Sequence, residues 1–244
     1  MKTLITFIIG FFMSAGLAMA QDFEYSFSES YKVSSPVTLK IQTSDGNIEV
    51  KPSSGNEIKV YYIARKENRI LKISREELEK EVTLIVNHSD NSLEITVQHD
   101  QRSSWFGINQ VEVGFKILAP AQTACTLRTS DGNISVDGLV SAQDCKTSDG
   151  NITVSNIKGQ LSGVTSDGNV NMSGITGAVT ARSSDGNISL EKISGNIQAT
   201  TSDGNISLNT ISSATVSARL RRHRRHPMPT PIEPPAAPRG TARR

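Results

Sequence analysis

The residues in this chain that could do chemistry recur at a fixed interval. Asp45, Asp131, Asp149, Asp167, Asp185 and Asp203 each sit in a T-S-D-G-N-I phrase, sometimes with Ser for Thr or Val for Ile, and the last five are 18 residues apart. Carboxylates stacked on successive strands would lie roughly 4.8 Å apart. Such a row repels itself and could gather hard cations such as Ca²⁺. The competing chemistry is that of a turn. Asp would then bond its own backbone, and Gly46, Gly132, Gly150, Gly168, Gly186 and Gly204 would supply positive φ. Asn133, Asn151, Asn169, Asn187 and Asn205 would stack beside them as an amide ladder.

The turn reading is the better one. Calcium-stabilised β-rolls carry G-G-x-G-x-D, with the aspartate after several glycines. Here Asp precedes a single Gly, so the aspartates are weak metal candidates and no cofactor is expected. A polysaccharide-acting β-helix enzyme is the other alternative, and it would need paired carboxylates in unlike settings beside sugar-binding aromatics. Among the aspartates of the repeats only Asp137 and Asp144 depart from the column, and His88 and His99 have no nucleophile pattern near them. Trp105 and Phe106, in a polar Gly-containing stretch, form a possible contact loop or a lid over the core. The chain therefore reads as a non-enzyme.

The elements that must position these residues follow from the repeat. Ile134, Ile152, Val170, Ile188 and Ile206 form one apolar column, and Val136, Val154, Met172, Leu190 and Leu208 a second, with polar residues between them. That alternation is a strand with one buried face. Leu139, Ile157, Ile175, Ile193 and Ile211 form a third column, and Leu161, Val179 and Ile197 a fourth. Identical residues at identical phase imply stacked coils rather than an antiparallel meander. The expected fold is all-β: a parallel β-solenoid of 18-residue coils over 126–218, preceded by an irregular β-rich region over 21–125. Strands are expected at Val37–Ile41, Ile58–Ile63, Val82–Val86, Leu93–Val97 and Val111–Leu118. Ser74 to Glu77 is a capping-box pattern for a short helix, and the first half is expected to start the rod and cap it.

Residues 1–20 read as a signal peptide: Lys2, an apolar run from Leu4 to Phe12, and Ala18-Met19-Ala20 before a cut at Gln21. The mature protein is expected to be exported, to periplasm, cell surface or medium, and not to be an integral membrane protein. Cys125 and Cys145 fall two residues out of register on neighbouring coils. They are therefore expected as two buried thiols. Residues 21–218 carry a net charge of −6, so nucleic acid is not an expected partner, whereas 219–244 carry 8 Arg and one Glu. That Arg/Pro-rich tail reads as disordered, either as a polycation for anionic polymers or as the product of a slipped reading frame.

The signal peptide, the β-rich first half, Ala119-Pro120 and the T-S-D-G-N-I array together resemble the bacterial putative-adhesin family, exported β-solenoid proteins long classed as a domain of unknown function. The resemblance implies a structural or adhesive role in the cell envelope and offers no catalytic residues. The expected function is a non-enzymatic interaction module whose flat Ser/Thr/Asn face meets glycan or envelope protein.

Overall fold

A computed structural model describes residues 23–99, 111–212 and 215–220. The signal segment, Trp105 and Phe106, and the tail from 221 lie outside the described residues. So does the frameshift reading.

Apart from one short helix, the described chain is built of strands, which lie in two facing sheets. The first half contributes β1 (Phe27–Lys32), β2 (Val37–Gln42), β3 (Ile48–Ser53), β4 (Glu57–Lys66), β5 (Arg69–Ile70), β6 (Thr83–Ser89), β7 (Ser92–Gln98) and β8 (Glu112–Pro120). Helix α1 (Arg75–Leu78) begins at Ser74, whose hydroxyl accepts from the Glu77 N–H while the Glu77 carboxylate accepts from the Ser74 N–H. The repeats alternate between sheets. β9 (Thr123–Arg128), β11 (Gln143–Lys146), β13 (Leu161–Val164), β15 (Val179–Arg182), β17 (Ile197–Thr201) and β19 (Val216–Leu220) lie in one. β10 (Ile134–Asp137), β12 (Ile152–Ser155), β14 (Val170–Thr176), β16 (Ile188–Ser194) and β18 (Ile206–Ser212) lie in the other.

All pairing among β9–β19 is parallel and in register by column, as in Ile134↔Ile152↔Val170↔Ile188↔Ile206. This is the expected solenoid. Burial follows the pleat: Ile188 is 1% exposed and Ser189 faces solvent. Antiparallel pairing is confined to the first half, where β4 joins β1, β5 and β8, and β6 joins β7.

The first half does more than start and cap the rod. β2 is flanked by β7 and β9, and β3 by β8 and β10, all parallel. The coil formed by β2 and β3 is thus inserted between two coils that come later in the chain. Ala121 and Gln122, linking β8 to β9, step past it from one neighbour to the other. This resolves the 86-residue gap between Asp45 and Asp131: the two phrases are adjacent in space, and six phrases stack.

The tail boundary also moves. Arg219 and Leu220, read as tail, pair with Thr200 and Thr201 in β19. Ile197 stands opposite Val216, a step of 19 residues where the earlier coils step by 18.

Candidate functional site

Each residue of the repeated phrase has a separate mechanical task, and the tasks differ from those expected. The Thr147 hydroxyl, buried, donates to the carbonyls of Ser130 (2.8 Å) and Gly132 (3.0 Å) one coil below and accepts from the Gly150 N–H (3.2 Å). Thr129, Thr165, Ser183 and Thr201 repeat this pattern. The Ser130 carbonyl also accepts the N–H groups of Ser148 and Asp149. Asn Oδ1 accepts both the backbone N–H and the Nδ2 of the next Asn, from Asn47 up to Asn205. The amide ladder is therefore present, and one coil longer than the regular repeats.

Glycine serves close approach, not positive φ. None of the phrase glycines lies in the left-handed region. A methyl group at Gly150 would overlap the Gly132 carbonyl, and the same holds up the column. A left-handed residue recurs in each coil four residues after the first Ile or Val of its strand, at Gly138, Asn156, Gly174, Lys192 and Thr210 (φ 53–73°). It falls at the strand's end in the first two coils and as a kink within β14, β16 and β18 in the rest. Nor does Asp close an Asx turn. The carboxylates of Asp131, Asp149, Asp167, Asp185 and Asp203 point outward with no hydrogen bond or ion pair among the described residues. The backbone N–H of Asp is already held by the Ser carbonyl below, so the turn needs nothing from its side chain. No three acidic, His or Cys groups converge to hold a metal among the described residues.

The other expected positions lie apart from this edge. Cys125 and Cys145 are free and buried, Cys125 opposite Gln143 and Cys145 opposite Leu127, the diagonal placement read from the sequence. Burial pushes the Cys145 thiol to about 12, with the Asp144 charge adding to the effect, and raises that of Cys125 well above its ordinary value. Gln143 takes a core position that Leu161, Val179 and Ile197 fill in later coils, donating to the carbonyls of Thr123 and Ser141 (3.0 Å each). His88 and His99 each bond a backbone carbonyl, of Lys32 and Val111.

The feature the sequence did not announce is where the ladder meets the irregular half. An open cleft of about 250 Å³ is floored by Gly46 and Gly114, and its walls include Arg65 and Glu112 on one side and Glu49 and Lys116 on the other. Its floor is low because Gly114 lacks a side chain in a row opposite Ile63. Beside it, Phe23, Tyr25 and Tyr61 cluster with centroids 4.9–5.7 Å apart, Tyr61 edge to face with both of the others. Lys116 Nζ lies 3.7 Å from the Phe23 centroid, Lys59 Nζ 5.0 Å from Tyr61 and Lys72 Nζ 5.8 Å from Tyr25. Strand alternation explains the platform: of Tyr61-Tyr62, Tyr62 enters the core and Tyr61 faces out. One signal was available, since no aromatic residue occurs after Phe115.

Behind the platform, Glu29 accepts from Tyr31, from Tyr62 (3.0 Å) and from Arg75 (3.0 Å), tying β1, β4 and α1 together. Burial would raise the Glu29 pKa, but the hydrogen bonds it accepts outweigh burial and lower it. Burial, with help from the Glu29 carboxylate, pushes Tyr31 to about 12 and Tyr62 higher still.

A two-sheet parallel solenoid, ridged by a Thr–Asn hydrogen-bond ladder and ending on an aromatic, lysine-rich platform, defines a repeat-built scaffold class. The family model described as Toastrack DUF4097 matches residues 34–220, and the chain belongs to that family. In fold it is similar to a putative cell adhesion protein from Clostridium sporogenes, at 13% identity over 79% of this chain and 99% of that one, with a TM-score of 0.40. It is likewise similar to a putative adhesin from Bacteroides fragilis, at 16% identity over 79% and 94%, with a TM-score of 0.41. No curated protein matches the chain in sequence.

Proposed function

We propose that the protein is an exported, non-enzymatic, adhesin-like module of the cell envelope that binds glycan on the sheet carrying the platform. The observation that carries this reading is the platform itself: three partly exposed aromatic rings interleaved with three lysines beside a polar cleft. Aromatic rings offer a flat apolar surface for sugar C–H faces, and charged and amide groups converge on the hydroxyls. The same sheet continues outward as the polar column Ser135, Thr153, Asn171, Ser189 and Ser207, giving a long polymer weak repeated contacts. The hydrophobic leader supports export, and no helix of the described residues is long and apolar enough to cross a membrane.

The test is a glycan array followed by calorimetry on the wild-type chain, Tyr61→Ala and Tyr25→Ala. Loss of an aromatic anchor should weaken a bound glycan by about tenfold or more. Binding unchanged in both variants, or no glycan bound at all, would overturn the proposal.

A further inference from the structure

The opposite sheet carries a second feature, independent of the platform. Its outward columns are set by register. One runs Arg128, Lys146, Val164, Arg182, Thr200, Arg219, and the next runs Thr126, Asp144, Ser162, Thr180, Gln198, Ser217. In the lower coils Asp144 pairs with Arg128, which leaves Lys146 as the cation there. Above Asp144 the second column holds only neutral residues. Among the described residues, neither Arg182 nor Arg219 is in an ion pair.

Between these two arginines stands the short Thr200, and a groove of about 210 Å³ opens there, lined by Arg182, Gln198, Thr200, Ser217 and Arg219. It has two guanidiniums, three neutral hydrogen-bonding side chains and no carboxylate. Asp185 and Asp203 are the nearest acids in sequence, and both belong to the adjoining turn. Lys146, Arg182 and Arg219 fall on alternate coils, a spacing of roughly 10 Å.

We propose that this groove is an oxyanion site, and that the column binds a polysaccharide carrying carboxylate or sulfate groups at regular intervals. Arginine suits the role because its planar fork meets an oxyanion with two parallel hydrogen bonds. Thr200, Gln198 and Ser217 supply further donors at the groove floor and side. Alternate-coil spacing favours a linear polymer over a single small anion, since one chain would engage several cations at once.

The experiment measures binding of the full chain to polygalacturonate, dextran sulfate and neutral dextran. It uses the wild-type protein, Arg182→Gln, Thr200→Glu, Tyr25→Ala and a variant with Arg221, Arg222, Arg224 and Arg225 all changed to Gln. Binding to at least one charged polymer and not to dextran is expected. Arg182→Gln and Thr200→Glu should each weaken it about tenfold or more. The two charged polymers distinguish a carboxylate preference from a sulfate preference. Tyr25→Ala should leave this binding intact, which separates its failure from that of the platform. Equal binding to dextran overturns the proposal, as does binding to neither charged polymer. Binding that survives Arg182→Gln but is lost in the four-arginine variant overturns it too, assigning the affinity to the tail.

Discussion

At the scale of single residues, the repeated phrase divides its labour between what holds the coils and what faces outward. Thr, Ser, Gly and Asn all bond or touch the coil below, whereas the Asp carboxylate bonds nothing among the described residues. Thr165→Val keeps the shape but removes the acceptor of the Gly168 N–H and the donor to Ser148 and Gly150. A buried N–H left unpaired costs about 1–3 kcal/mol, so urea denaturation should show a loss of that size. Asp167→Asn should stay within about 0.5 kcal/mol of wild type. If the aspartate proves the costlier of the two, the carboxylates have a partner and the assignment of roles is wrong. The phrase was legible as a turn because its spacing is strict. The job of its glycine was not legible, because positive φ and close approach leave the same letter in a sequence. Only the stacked Gly132 and Gly150 show which constraint applies.

At the scale of elements, the phrase turn and the strand that follows it obey different rules. The left-handed kink in that strand holds Gly174 in β14 and Lys192 in β16 (φ 66° and 53°). A side chain in that region costs about 1–2 kcal/mol, against the entropy that glycine loses on folding. Lys192→Gly should therefore stabilise by about 0.5–1 kcal/mol and Gly174→Ala destabilise by a similar or larger amount, read from paired denaturation curves. Equal signs would refute the strain. The first half yields a pH prediction. Tyr31 titrates higher in the folded protein than unfolded, so its stabilising contribution is complete below about pH 10. It is lost as the pH rises through about 12. Stability should fall over that interval, and Tyr31→Phe should make the fall shallower. An identical slope would place the alkaline sensitivity elsewhere. In this half β2, β4, β6, β7 and β8 were legible from alternation, whereas β1, β3 and the two-residue β5 were not among the expected strands. The Glu29 network was not, since Glu29, Tyr62 and Arg75 are far apart in sequence and nothing local marks them as partners.

At the scale of the whole molecule, sequence order and spatial order disagree at one coil. The repeats could be read because each coil stacks on the one that precedes it in the chain. The β2–β3 coil breaks that rule, and its lone T-S-D-G-N-I phrase at Asp45 gave the type of coil without its place in the stack. This has a mechanical consequence. An end coil can fray by itself, but a coil flanked on both sides opens only with its neighbours. Ile41 is fully buried in β2, and β2 pairs with β7 on one side and β9 on the other. Ile41→Ala should cost about 2–5 kcal/mol, as much as Ile188→Ala deep in the repeats. Hydrogen exchange should quicken in both β7 and β9. Had the phrase at Asp45 formed a terminal coil, the same change would loosen only the first residues and leave β9 protected. Faster exchange confined to one side of β2 would therefore refute the inserted coil.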